Sequence, residues 1–456
     1  MPKTEVFERR IELPVSVDEL FEWHRREGAF QRLTPPWEPT RVVSSDGVVN
    51  GGRAVMEMHL GPTTQRWVAE HKEVVPGQGF VDEQVDGPFK SWRHEHRMEA
   101  LGPARSALVD HIEYVLPLGA VGHFFGEGIA ARRLDKMFTY RHAVMQEDLS
   151  RHAEYRGIKK RLAITGASGT IGRALAALLT TGGHEVLRVV RHGDGDVKWD
   201  AKTNIESEKL RGIDTVIHLA GENIGDGRWT DEKKRKIRES RVDGTALMAR
   251  TLAGLDGGPR TLVSASAIGY YGDRSSPVDE TSPRGEGFLA DVCDEWEHAA
   301  DPAREAGLRV VHPRIGIVLT PEGGALPPLK KAVSAGVGGR IGKGDQGLSW
   351  IAVDDVVYAL FAMVMRDDLV GPVNVTSPHP VDNAGLAKAL GHVLHRPSFL
   401  PLPAAAVKVA FGEMGERLLL DGAVVDPRVL VEAHHRYSYP ELDAALRHLL
   451  GKPDAA

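Results

Sequence analysis

Cysteine is nearly missing: among 456 residues only Cys293 carries a thiol. Disulfides within the chain are thereby excluded, and so is any zinc site built from several thiolates. Long apolar runs are missing too, since no uninterrupted stretch reaches the ~20 residues that a membrane-spanning helix needs. The opening MPKTEVFERRIEL has no apolar segment of the kind a secretory leader carries, so a cytoplasmic placement is expected. An excess of positive charge is also absent; a net charge of -6 leaves no general basic face for nucleic acid. What remains, 42% apolar and 26% charged residues, is ordinary for a globular chain. At 456 residues it exceeds one core, so two or three domains are expected.

The strongest local signal is Lys159 to Gly172, KKRLAITGASGTIG. An apolar run, Leu162 to Ile164, meets a glycine turn, and helical spacing follows from Arg173 to Leu179. That is the form of a dinucleotide-binding βαβ unit, with Glu185 to Val190 as its second strand. Gly166 would permit the tight turn, Gly169 would admit a pyrophosphate close to the backbone, and Gly172 would let helix and strand pack. Ser168, Thr170 and Ile171 lie in the same turn, where free N–H groups at the helix start face phosphates.

An Asp or Glu at the end of the second strand would bond a ribose 2′-hydroxyl, but this chain has Arg191 and His192 there. A guanidinium accepts a 2′-phosphate, so NADP(H) is favoured over NAD(H). Thr215 to Leu219 predicts another buried strand, and the small residues of Ala220-Gly221-Glu222 after it suit close passage of the cofactor. The basic run from Lys233 to Arg241, interleaved with Glu232 and Glu239, reads as a solvated helix face capped by Thr230. Leu262 to Ser266 is the next strand, with Ser264 placed toward the cofactor and Gly269-Tyr270-Tyr271-Gly272 beyond it. Asp354 or Asp355 is expected to cap a helix.

The first 150 residues show no glycine fingerprint. A strand from Thr4 to Leu13, a helix from Ser16 to Arg26, a run of strands and a long helix from Gly119 to Leu149 predict an α+β domain with a curved sheet around that helix. His94 and His96 share one strand face; two histidines without a third ligand are expected to be a solvated face, and no metal site is expected. Polar residues 151–158 read as a linker. The expected division is 1–150, a dinucleotide-binding domain at 159–372, and a substrate-side subdomain at 373–456.

The order of elements in the first 150 residues resembles the START/polyketide-cyclase-like (SRPBCC) helix-grip family, which implies a cavity for a hydrophobic small molecule. Residues 160 to 450 carry HLAGENI, GRW, ESR, SASAIGYYGD, FLADVCDEWE, SWIAVDDV and GPVNVTSPHPV. They resemble an atypical, epimerase-like group of extended short-chain dehydrogenases/reductases. The resemblance implies an α/β fold, a Rossmann doubly wound parallel sheet with a small C-terminal α/β subdomain, and a small-molecule substrate.

It would also place a serine on a strand and a Tyr and Lys four residues apart on a helix. Ser266 matches the serine, with Ser264 as the alternative. Gly287 to Glu297 should carry the pair, yet no Tyr and no Lys occur between Asp273 and Leu329. Phe288 or Leu289 and Val292 or Cys293 stand in their places, Cys293 as a small core residue. Tyr270 and Tyr271 are left as candidate acids, with Asp291 and Asp294 of the substituted helix as further sources of a proton. Two readings stay open, an NADP-dependent oxidoreductase or epimerase-like enzyme and a non-catalytic NADP(H)-binding sensor. Oligomeric state is not legible.

Overall fold

The computed structural model describes residues 3–452 apart from 39, 61–62, 118 and 201. It divides into two compact units, one of Met1–Ile158 with Ala177–Gly183, the other of Lys159–Ala176 with His184–Ala456.

In the first unit, strands β1 (Glu5–Leu13), β2 (Thr40–Ser45), β3 (Arg53–Leu60), β4 (Thr63–Val75), β5 (Gly79–Asp86), β6 (Ser91–Gly102) and β7 (Arg105–Val115) form one antiparallel sheet, in the order β1-β7-β6-β5-β4-β3-β2. Helices α1 (Val17–Arg25) and α2 (Ala29–Leu33) precede β2, and α3 (Gly119–Glu154) follows β7. Ser16 caps α1 by accepting from the Glu19 amide. Along α3, Leu134, Phe138, His142, Met145 and Leu149 are buried at helical spacing. Leu20, Phe21 and Trp23 of α1, Phe80, Met98 and Leu108 complete the core with Met145 and Leu149. Arg32 and Asp148 form a buried bidentate pair, with both hydrogen bonds at 2.8 Å.

Two expectations from the sequence fail in this unit. Residues 151–154 are the last turn of α3 and no linker, because Arg151 and His152 continue the helix with their side chains buried. His94 and His96 are no solvated face; they are 3% and 7% exposed. They alternate with outward residues in step with Trp92 and Met98, so the pleat aims all four at the core face.

The second unit is doubly wound. Its strands are β8 (Arg161–Thr165), β9 (Glu185–Val190), β10 (Val197–Asp200), β11 (Asn204–Ile205), β12 (Thr215–His218), β13 (Thr261–Ser264), β14 (Ser266–Ala267) and β15 (Arg309–Ile315). They lie in the order β11-β10-β9-β8-β12-β13-β15-β14, and Gly371–Val375 pairs with β15. All neighbours from β10 to Gly371–Val375 run parallel. Leu162 to Ile164, Val216, Ile217, Leu262 and Val263 are wholly buried, as expected for strands covered on both faces. Helices α4 (Thr170–Thr181), α5 (Asp231–Ala253) and α6 (Phe288–His298) make the crossovers. The order reverses between β8 and β12, the topological switch point where such sheets open a crevice.

The helix Val353–Met365 is buried all round. Its cap is Ala352 and neither aspartate, which corrects the expectation for Asp354 and Asp355. Asp355 accepts instead from the amides of Ser438 and Tyr439 at 2.7 and 2.9 Å, and Asp354 meets His448 Nε2 at 3.0 Å. No helix among the described residues is long and apolar enough to cross a membrane.

Candidate cofactor and active site

The β8–α4 turn is built by two steric facts. Gly166 has φ +70°, and a Cβ there would lie 3.0 Å from the Leu219 carbonyl. A Cβ on Gly172 would lie 2.2 Å from the Gly166 oxygen, closer than any side chain could tolerate. A Cβ on Gly169 would lie 3.3 Å from the Gly166 oxygen, a tight contact but far milder than that at Gly172. Ser168 and Gly169 are exposed, and Thr170 and Ile171 are half-buried. Because α4 begins at Thr170, the amides of its first turn have no helical acceptor, which gives a phosphate-sized anion its donors.

Across the switch point, Thr165 Oγ1 accepts from the amides of Leu219 and Ala220 at 3.1 and 3.2 Å. Its remaining proton goes to His218 Nδ1 at 2.8 Å, so His218 is neutral with Nδ1 as acceptor. Burial holds that imidazole down to about 4. Gly221 is exposed, and Glu222 accepts from Lys233 Nζ at 2.7 Å. That bond lowers the Glu222 carboxyl, and the charge of Arg191 adds to the effect through space. Arg191 itself is exposed just past the end of β9. The basic face of α5 is largely matched by carboxylates: Lys234 with Glu413, Arg235 with Glu232 and Glu239, Arg238 with Glu295.

The next cluster is only half visible in the sequence. Ser266 Oγ donates to Glu297 Oε1 at 2.6 Å. Arg314 holds both oxygens of the same carboxylate, from Nε and Nη2 at 2.8 Å each. Burial pushes the Glu297 carboxyl up, but the Arg314 guanidinium overrides it and the group stays below the usual range. Arg314 Nη1 donates to Tyr271 Oη at 2.9 Å, and Tyr271 donates to Asn374 Oδ1 at 2.8 Å. The Arg314 guanidinium also lies 3.5 Å from the Tyr270 ring centroid.

This geometry separates the two tyrosines. Tyr271 is wholly buried, its proton is committed to Asn374, and burial raises its phenol to about 12. Contrary to the expectation from sequence, it is no candidate acid facing an open crevice. Tyr270 is half-buried. Ser264 is 0% exposed, at the end of β13.

Leu289 and Cys293 form the face of α6 that meets Gly269, at 3.3 Å from Leu289 Cβ and 3.6 Å from Cys293 Sγ for a Cβ there. One turn further on the same face stands Glu297. The side chains of this cluster that motif reasoning passes over are Glu297, Arg314 and Asn374. Their signal is a lone arginine inside the apolar strand VVHPRI, since a charge in a buried strand must have a partner.

Comparison with known proteins agrees with this architecture. Residues 162–375 match the NAD dependent epimerase/dehydratase family, and residues 13–138 match the family described as polyketide cyclase / dehydrase and lipid transport. Residues 402–449 match a domain of unknown function, DUF1731. An epimerase family protein of Mycobacterium bovis is 39% identical over 297 residues, which are 64% of this chain and 98% of that protein. A crystal structure described as the nucleoside-diphosphate sugar epimerase from Corynebacterium glutamicum is 33% identical, with a TM-score of 0.81 over 98% of this chain and 90% of that one. The human epimerase family protein SDR39U1, solved with NADPH, is 34% identical with a TM-score of 0.59, over 64% of this chain and 99% of its own. With the Rossmann sheet, its glycine turn and relatives aligned over nearly their full length, the chain belongs to the epimerase family, and it carries a polyketide-cyclase-like domain ahead of the Rossmann unit.

Proposed function

We propose that this chain binds NADP(H) at the β8–α4 turn and acts as an oxidoreductase or epimerase-like enzyme on a small, partly apolar substrate. Ser168, Gly169, Thr170 and the amides of the first turn of α4 would receive the diphosphate, and Arg191 would receive the 2′-phosphate. Ala220, Gly221 and Glu222 would flank the adenosine side. The human relative, whose crystal structure was solved with NADPH, supports this reading. When bound, the cofactor supplies or accepts a hydride.

The observation that carries the enzymatic reading is the Ser266–Glu297–Arg314 arrangement. Glu297 accepts a hydrogen bond from the serine hydroxyl, which fixes its rotor and turns its lone pairs outward. Arg314 keeps Glu297 ionised, so that orientation persists. Ser266 then positions a substrate hydroxyl, and Tyr270, with a cation over its ring, is the proton donor that remains once Tyr271 is spent in the core.

Cofactor titration tests the binding half. NADPH should bind more tightly than NADH, and Arg191→Ala should remove roughly 10- to 100-fold of preference, the equivalent of ~1.5–3 kcal/mol for a charged hydrogen bond. Equal curves for the two cofactors in the parent protein would defeat it. Oxidation of NADPH against a panel of aldehydes, ketones and quinones tests the catalytic half.

The apolar Leu289–Cys293 face favours a second reading. In it the chain is a sensor that binds NADP(H) without turning it over, and the first domain takes a hydrophobic ligand. Saturable binding with no turnover on any class of substrate would select it.

A further inference from the structure

The first unit contains a buried constellation that neither reading uses. Strand register brings it together: Asp82 of β5 lies opposite His94 of β6 and opposite His71 of β4, and His96 of β6 lies opposite Asp110 of β7. His142 of α3 faces Asp110 at 2.7 Å. His71, His94, His96, Asp110 and His142 are between 2% and 7% exposed, while the Asp82 side chain keeps 22%. One ligand atom from each of Asp82, His94 and His96 lies within 4.8 Å of the others.

We propose that Asp82, His94 and His96 bind a divalent first-row transition metal, with Asp110 and His71 as the groups that orient its ligands. Three features carry this. The first is spacing: His96 Nε2 and Asp82 Oδ2 are 3.3 Å apart, which is about the ligand-to-ligand edge of a tetrahedral site with bonds of ~2.0–2.1 Å.

The second is that Asp82 and His94 are each held from behind. His71 Nδ1 donates to the other Asp82 oxygen at 2.5 Å. Asp110 Oδ1 accepts from His94 Nε2 at 2.9 Å, which leaves the Nδ1 lone pair of His94 for a metal. The same oxygen lies 3.2 Å from His96 Nδ1. A carboxylate behind a ligating imidazole, as Asp110 stands behind His94, is the arrangement that fixes tautomer and ring orientation at metal sites. Phe80 stacks on His96 with centroids 4.2 Å apart and locks that ring.

The third is an unmet need. His96 Nδ1 is buried and, despite its nearness to Asp110, has no hydrogen-bond partner among the described residues. A purely structural network would align that donor; a site organised around a central ion places the ring for its other nitrogen. The part-exposed Asp82 marks the side from which an ion and a fourth, exchangeable ligand would enter.

The test uses the full chain, stripped with a chelator and dialysed. Titration with Zn²⁺, and separately with Fe²⁺ without oxygen, should each be read by calorimetry, melting temperature and bound metal per chain. One equivalent should bind and raise the melting temperature, and Co²⁺ should develop visible ligand-field bands; the tighter of the Zn²⁺ and Fe²⁺ isotherms identifies the metal. Asp82→Asn and His94→Gln should abolish stoichiometric binding, and Asp110→Asn should weaken it about 10- to 100-fold. His111→Ala, on the outer face of the sheet, should leave it unchanged. If the parent chain retains none of these ions and shows no shift in melting temperature, the proposal is overturned and the cluster is a proton-balanced network. Equal loss of binding in His111→Ala would overturn it as well, by making the uptake superficial.

Discussion

The two units handle buried polar groups in opposite ways. In the Rossmann unit the cofactor-side groups gather at the carboxyl edge of a parallel sheet, and backbone geometry makes the site: a left-handed glycine, a helix start, amides on Thr165. In the helix-grip unit the polar groups stand on the flat of an antiparallel sheet, and side chains alone make the constellation: histidines and aspartates from four strands and a helix, beside the Arg32–Asp148 pair. A site made of backbone leaves a contiguous signature in the chain. A site made of pleat and register leaves only an alternation.

The sharpest way to stress this contrast is to remove one ion of the helix-grip pair. Arg32→Ala takes the guanidinium away from the buried Asp148 carboxylate and should cost ~3–5 kcal/mol, seen as faster hydrogen exchange in α2 and α3. Gly172→Ala is its backbone counterpart in the other unit. The new methyl meets the Gly166 oxygen, so a loss of ~3 kcal/mol with weakened NADPH binding is expected, measured by denaturant unfolding and fluorescence titration. A neutral outcome there would mean that the turn is far softer than its distances indicate.

Glu297→Gln touches the one place where the Rossmann unit also depends on side chains. Breaking the charge pair with Arg314 should cost ~1.5–3 kcal/mol and lower kcat more than KM, because Ser266 loses its fixed rotor. Unchanged kcat would remove Ser266 from the mechanism.

Acid gives a smaller and graded test. Burial holds His218 and His312 down to about 4, against about 6.5 in the unfolded chain. Both are neutral when folded, so their contribution is complete above pH ~6.5 and is lost as pH falls toward about 4. Roughly 1–2 kcal/mol each should be gone by pH 5, in urea midpoints measured across that range. His218→Asn keeps an acceptor for the Thr165 hydroxyl and should flatten the acid limb.

How much of this is legible in the sequence follows from the same contrast. The glycine turn, Thr230 as the cap of α5 and the succession of strand, helix and strand through the Rossmann segment can be read because their residues are neighbours in sequence. Glu297 and Arg314 cannot be paired by reading, since one closes a helix and the other lies in a strand, and only packing brings them to 2.8 Å. For His94 and His96 the clue is present but easily missed: Trp92 and Met98 at the same parity fix the buried face. Arg151 and His152 resemble a linker only while polar residues are equated with solvent, whereas helical spacing from Leu149 carries them on into α3.

The solitary thiol of the chain has a use that follows from its setting. Cys293 is 4% exposed, and burial raises its pKa to about 12, so alkylating reagents find no thiolate while α6 is docked. Its labelling rate therefore clocks how often that helix lifts away, and any occupant of the neighbouring crevice that clamps the helix will slow the clock.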